Sequence, residues 1–174
     1  AKALVGDGWV DTGDLGFMIE GALFVTGRAK DIIFINGQNF YPHDIEKEAE
    51  YLEEIELNKI AIAGHFNPTT QQEEAIAFVF YRGSANDFLP LVQQLKAYIN
   101  TRFGFELTVA IPVNDIPKTT SGKLQRFKLL QRYLNGEYKE TIAELTELES
   151  TLKNEQLLEA PATEQEVQIA ALWC

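Results

Sequence analysis

Sulfur is almost missing from this chain of 174 residues, which has one cysteine, Cys174, and one methionine. A lone thiol excludes an internal disulfide framework and fits a reducing compartment. Histidine is as scarce: His43 and His65 are the only two, no Cys/His cluster exists, and no metal site is expected. No run approaches the roughly 18 consecutive apolar residues of a membrane-spanning helix, so no span is predicted. No signal-like apolar stretch follows Ala1, and the expected location is the cytoplasm. Positive charge is also short, with 15 Lys and Arg against 26 Asp and Glu and a net charge of −11. That balance argues against general nucleic-acid binding.

The deficit is uneven. Between Glu137 and Glu166 nine glutamates face two lysines, so the asymmetry belongs mostly to the tail. The opposite holds from Ile116 to Arg132, where Lys118, Lys123, Arg126, Lys128 and Arg132 stand with no acid among them. The start of this run, Ile116-Pro117-Lys118-Thr119-Thr120-Ser121-Gly122-Lys123, combines a Pro-led loop, a Thr/Ser/Gly tip and a lysine just ahead of an apolar-periodic stretch. Such a pattern presents one cation on a turn beside a helix start. The local reversal of sign suits an anionic ligand such as a phosphate. A solvated basic loop is the other reading of the same residues. A phosphate-cradling P-loop is rejected, because Pro117 stands where that motif needs its first glycine and Leu124 where it needs Ser or Thr.

With 45% hydrophobic residues the chain can bury a core, either as one ordinary domain or as a smaller domain with an appendage. It opens at Ala1 and ends within the apolar stretch Ala170 to Cys174, which reads as a piece of a longer polypeptide. Trp9-Val10-Asp11-Thr12-Gly13-Asp14-Leu15-Gly16 places two glycines around Asp14. That carboxylate can accept two hydrogen bonds from a vicinal diol such as a ribose, or it can stabilise its own turn. Phe17 to Ile19 and Ala22 to Thr26 read as a hairpin turning at Glu20-Gly21. Arg28 and Lys30 follow, two apart, either sharing a face or merely solvated at the entrance to the buried-strand pattern Ile32 to Ile35. Tyr41 to Glu46 reads as a helix start with His43 or Asp44 near the cap.

From Asn58 the pattern is that of an alternating α+β unit. Strands are expected over Lys59 to Gly64, Ala75 to Tyr81 and Leu107 to Val113, with a helix over Phe88 to Phe103 whose Leu91, Leu95, Tyr98 and Ile99 share a face. Phe127, Leu129, Leu130 and Tyr133 predict a short helix stopping at Asn135-Gly136. Lys139 to Leu158 reads as a solvated acidic helix with a narrow stripe of Ile142, Leu145, Leu148 and Leu152. Ala160-Pro161 ends it, and Thr163-Glu164-Gln165-Glu166 resembles a capping box opening another helix to Trp173.

Three separated blocks coincide in order: Trp9 to Asp14, then Gly27-Arg28-Ala29-Lys30-Asp31 with Gly37 and Glu46, then Lys118 to Lys123. Together they resemble the late motifs of the adenylate-forming superfamily of acyl-CoA synthetases, luciferases, peptide-synthetase adenylation domains and fatty acyl-AMP ligases. Lys30, where amino-acid-activating domains usually have Asp, and Asn36 to Glu46 look most like fatty acyl-AMP ligases and the loading ligases of polyketide and hybrid megasynthases. The resemblance implies an α+β C-terminal subdomain, with an N-terminal β-hairpin and a mixed three-stranded sheet flanked by helices and followed by a helical linker. It also implies a division into the end of a large adenylation subdomain (1–28), the mobile C-terminal subdomain (29–136), an acidic helical linker (137–160) and the start of a carrier-protein domain (161–174).

In such a family the parent enzyme uses ATP and magnesium to make an acyl-adenylate, and the small subdomain then rotates for transfer to a thiol. The resemblance assigns Lys123 as the catalytic lysine, Asp14 and Arg28 as nucleotide contacts and Lys30 as the hinge. It implies a large adenylation subdomain and an acyl or peptidyl carrier domain in cis, the latter bearing phosphopantetheine, and an isolated chain that is inactive. Phe34 departs from relatives that carry a lysine there for transfer to CoA. The alternatives are an acyl-CoA synthetase fragment and a non-catalytic docking module that recruits a partner through the acidic helix.

Overall fold

A computed structural model describes residues 4–5 and 8–158, with side chains described over 8–153; the carrier-like stretch from Pro161 to Trp173 lies outside the described residues. The body is the three-stranded sheet that the alternating pattern predicts. Strand β7 (Ile60–Asn67) runs antiparallel to the central β8 (Gln72–Phe80), and β9 (Val109–Val113) lies parallel to β8 on its other side. The parallel step requires a crossover, which helix α2 (Ala85–Phe103) supplies. Because side chains alternate along a strand, both sheet faces are apolar and both are covered. Ile60, Ile62, Ala77 and Val79 face Ile45 and Ala49 of helix α1 (Pro42–Ala49) and Phe88, Leu95 and Ile99 of α2. Ala61, Ala63, Ile76 and Phe78 face Leu129 of helix α3 (Arg126–Leu134).

Before the body come short antiparallel pairs: β1 (Leu4–Val5) with β2 (Trp9–Val10), β3 (Asp14–Ile19) with β4 (Ala22–Arg28), and β5 (Ile33–Ile35) with β6 (Gln38–Phe40). The β3–β4 hairpin is longer than its apolar pattern, because pairing continues through the bulge at Leu15/Gly16 until Asp14 stands opposite Arg28. Its side chains are apolar on both faces and exposed on both, with Phe17 stacked on Phe24 on one side and Met18 beside Leu23 on the other.

Two expectations are corrected. Ile32 to Ile35 is not buried throughout: Ile33 and Ile35 enter the core while Phe34, between them, is 51% exposed, as a strand with one covered face dictates. His43 and Asp44 stand in the first turn of α1 as expected, and the cap itself is Tyr41, because Pro42 takes the first helical position, where its fixed φ fits and its missing N–H costs nothing. The acidic helix α4 (Lys139–Leu158) is not simply solvated. Leu145 is only 5% exposed within the core, and Lys96 of α2 reaches Glu149 at 3.1 Å.

Candidate functional site

The Lys123 turn is a small closed structure. The Gly122 N–H donates to the Thr119 carbonyl at 2.9 Å, the Thr119 N–H to the Lys123 carbonyl at 2.8 Å, and the Lys123 N–H to Thr119 Oγ1 at 3.0 Å. Gly122 has φ +82, a left-handed conformation that any side chain would make costly, and this explains the glycine before the lysine. Just below, Lys118 bridges Leu124 and the Gln125 N–H donates to the Pro117 carbonyl at 2.8 Å, so Pro117 to Gln125 forms a ribbon that turns at Thr120 to Gly122, with Lys123 directly after the turn. All of these bonds use backbone or Thr119. The Lys123 side chain is exposed and makes no ion pair among the described residues.

Facing the turn is the end of the β3–β4 hairpin. Asp14 does not hold its own turn. Asp11 does so, its carboxylate accepting the Gly13 N–H at 2.8 Å, and Thr12 Oγ1 accepts the Asp14 N–H at 3.2 Å. The Asp14 carboxylate instead meets Arg28 Nε at 3.2 Å across the hairpin. Lys30 follows in a single 3₁₀ turn, Ala29–Asp31, which the Ala29 N–H anchors to the Gly13 carbonyl at 2.9 Å. The hairpin is joined to α1 by Tyr41, whose hydroxyl lies 3.0 Å from Thr26 Oγ1.

These parts enclose an open cleft of about 980 Å³ that gathers Asp14, Arg28, Lys30 and Lys123, all four residues expected at the site, although they come from three separate stretches of chain. Phe34 is not among its lining residues. The basic run contributes less than its composition implied. Arg132 pairs with Asp115 at 2.8 Å, and Arg126 pairs with Glu46, which leaves Lys118, Lys123 and Lys128, of which Lys123 alone lines the cleft.

Sequence reasoning missed the Glu46–Arg126 pair, the deepest charges in the cleft. Glu46, 5% exposed, accepts Arg126 Nε on Oε1 at 2.6 Å, a second Arg126 nitrogen on Oε2, and the Ile62 N–H at 2.8 Å. Burial pushes the Glu46 carboxyl above its ordinary range, while Arg126 and the Ile62 N–H pull it back only in part. Burial also opposes the Arg126 charge, but the hydrogen bond and charge of Glu46 outweigh it and hold the guanidinium above its usual value. Both partners therefore carry a desolvation cost, which their mutual contact offsets for the guanidinium but not fully for the carboxylate. No local signal marks it, since the partners lie 80 residues apart.

No family model matches the chain. A putative acyl-CoA synthetase of Caulobacter vibrioides is 38% identical over 79% of this chain and 24% of its own length. A long-chain-fatty-acid–AMP ligase of Mycobacterium marinum is 36% identical over 72% of this chain and 22% of its own. Among solved structures, McyG A-PCP complexed with phenylalanyl-adenylate matches 98% of this chain and 27% of its own at 31% identity and a TM-score of 0.80. The chain thus spans about a quarter of the length of the relatives it matches. Its three motif blocks, its α+β fold and these relatives agree: the chain belongs to the adenylate-forming superfamily and has the fold of that superfamily's C-terminal subdomain.

Proposed function

We propose that this chain is the moving subdomain of an ATP-dependent acyl-AMP ligase, which activates a carboxylic acid, most simply a fatty acid, and passes the acyl group to the phosphopantetheine thiol of a carrier protein. The observation that carries the reading is the cleft that brings Lys123 to the same space as Asp14 and Arg28. Carboxylate, α-phosphate and departing pyrophosphate concentrate negative charge, and an ammonium without an ion pair among the described residues stabilises that charge where it develops. The Asp14 carboxylate, held from one side by Arg28, keeps acceptor sites for a ribose diol. Lys30, in the short turn between hairpin and body, is assigned as the hinge, where a few residues absorb a domain rotation.

The rest of the machine is assigned to the same protein. Residues 1–28 are the end of a large adenylation subdomain, and the doubly exposed apolar β3–β4 ribbon supports this, since two strands alone cannot bury their side chains. Residues 29–136 are the mobile subdomain, 137–160 the acidic linker and 161–174 the start of a carrier domain in cis. Magnesium is assigned to the large subdomain; among the described residues no group of three His, Cys, Asp or Glu is placed to hold a metal ion. No helix described is long and apolar enough to cross a membrane, and a cytoplasmic site of action is part of the proposal. Transfer to free CoA is the second reading, favoured by the relative of Caulobacter vibrioides being a putative acyl-CoA synthetase.

The test is Lys123→Ala in the complete ligase, read by pyrophosphate exchange. Loss of one charge-assisted contact in the transition state is worth about 3 kcal/mol, roughly a hundredfold in rate. The fold is expected to persist, because the side chain closes none of the turn's hydrogen bonds. An unchanged exchange rate removes Lys123 from catalysis.

A further inference from the structure

The turn's own hydrogen bonds set its shape but not its place over the cleft. Its place depends on what holds its base, and the base runs directly into Arg126, the first residue of α3. The Arg126 fork grips Glu46 of α1 through both carboxylate oxygens, a geometry that constrains angle as well as distance. Glu46 also accepts the Ile62 N–H of β7. Because β7 is an edge of its sheet among the described residues, that outward N–H has no described strand to pair with, and Glu46 serves as its partner. One buried carboxylate therefore ties together the helix, the sheet edge and the base of the catalytic turn.

The tie continues to the nucleotide side of the cleft. Helix α1 is capped by Tyr41, whose hydroxyl meets Thr26 on the strand that ends at Arg28. A continuous set of contacts thus runs from the Asp14–Arg28 pair through Tyr41 and Glu46 to Arg126, three residues beyond Lys123. Arg126 lines the cleft, yet its guanidinium is committed to Glu46, which makes it a poor candidate for a phosphate ligand.

We propose that Glu46 and Arg126 are positioning residues for the adenylation step, holding the Lys123 turn at the reacting carboxylate without touching substrate. This rests on the assignment of Lys123 as catalytic. Displacing a catalytic group by about 1 Å costs up to roughly a hundredfold in rate, so loosening the fork acts on turnover and leaves ATP binding nearly unchanged.

The experiment compares Arg126→Lys, Glu46→Gln and Lys123→Ala in the complete ligase. Pyrophosphate exchange gives kcat and the KM for ATP, hydrogen exchange follows the peptide 116–126, and melting reports the fold. Arg126→Lys leaves Glu46 with a partner of the same charge but without the fork, and its outcome decides. The expected result is a kcat lowered about ten- to a hundredfold, an unchanged KM and faster hydrogen exchange over 116–126. Glu46→Gln is expected to behave alike, while Lys123→Ala loses rate with the protection of 116–126 intact. An Arg126→Lys protein that melts lower but keeps its kcat and its protection marks the pair as structural and overturns the proposal. Full activity in Lys123→Ala is a different failure, which removes the catalytic lysine itself and takes this inference with it.

Discussion

Replacing Leu145 by alanine tests whether α4 is built into the subdomain or merely trails from it. Leu145 is 5% exposed and belongs to the core cluster that includes Leu95 and Ile99 of α2, whereas Leu152, two turns further on the same stripe, is 40% exposed. A buried leucine cut to alanine loses both its transfer free energy and the filled volume, about 3 kcal/mol within the usual 2–5. The same cut at Leu152 removes much less burial and is expected to cost about 1 kcal/mol or less. For a domain of this size each kcal/mol shifts the melting temperature by about 2–4 °C, so Leu145→Ala is expected to melt roughly 6–12 °C lower. Urea and thermal unfolding followed by circular dichroism measure both. Equal, small effects at the two positions would refute the packed helix. The outcome matters for function, because a docked α4 sends the following segment off in a set direction, whereas a free helix is only a tether.

Two further outcomes follow from the site. A Cβ at Gly27 would stand 2.9 Å from Tyr41 Cδ1 and 3.1 Å from Cε1, so Gly27→Ala forces the ring away from Thr26 and is expected to cost about 1–3 kcal/mol. The part of that loss due to the clash is recovered when Tyr41→Ala is added, while the strain of an alanine at φ +159 remains; melting of the two single variants and the double variant checks it, and strictly additive losses would rule out the clash. On the acceptor side, a carrier tethered in cis sees its ligase at an effective concentration in the millimolar range, so the complete protein is expected to load that carrier ahead of free CoA. Mass spectrometry of the carrier beside chromatography of acyl-CoA decides this, and rapid acyl-CoA release with an empty carrier would favour the CoA reading.

Much of the body was legible in the sequence because it rests on periodicity. The short continuous apolar runs Ile60 to Ala63 and Ala75 to Val79, buried on both faces, and the helical stripe of Leu91, Leu95 and Ile99, are local signals that the tertiary structure did not override. The turn at Lys123 was legible for the same reason, since Pro117, Thr119 and Gly122 act within a few residues of one another. The short β5–β6 pair was not, because Gln38–Phe40 carries little apolar pattern and pairs only once the turn at Asn36-Gly37 closes. Nor could composition reveal that Arg126 and Arg132 spend their charges on Glu46 and Asp115. Charge counts add along a chain, but ion pairs form in space, so of five cations two are paired with carboxylates and Lys123 is the one lysine of the stretch that lines the cleft. What the sequence determined by itself were the elements, the motif blocks and the superfamily they resemble. Only the tertiary structure decided which carboxylate holds the turn, that Asp14 faces Arg28 rather than its own loop, and that the acidic helix buries Leu145, because each depends on partners brought together from distant parts of the chain.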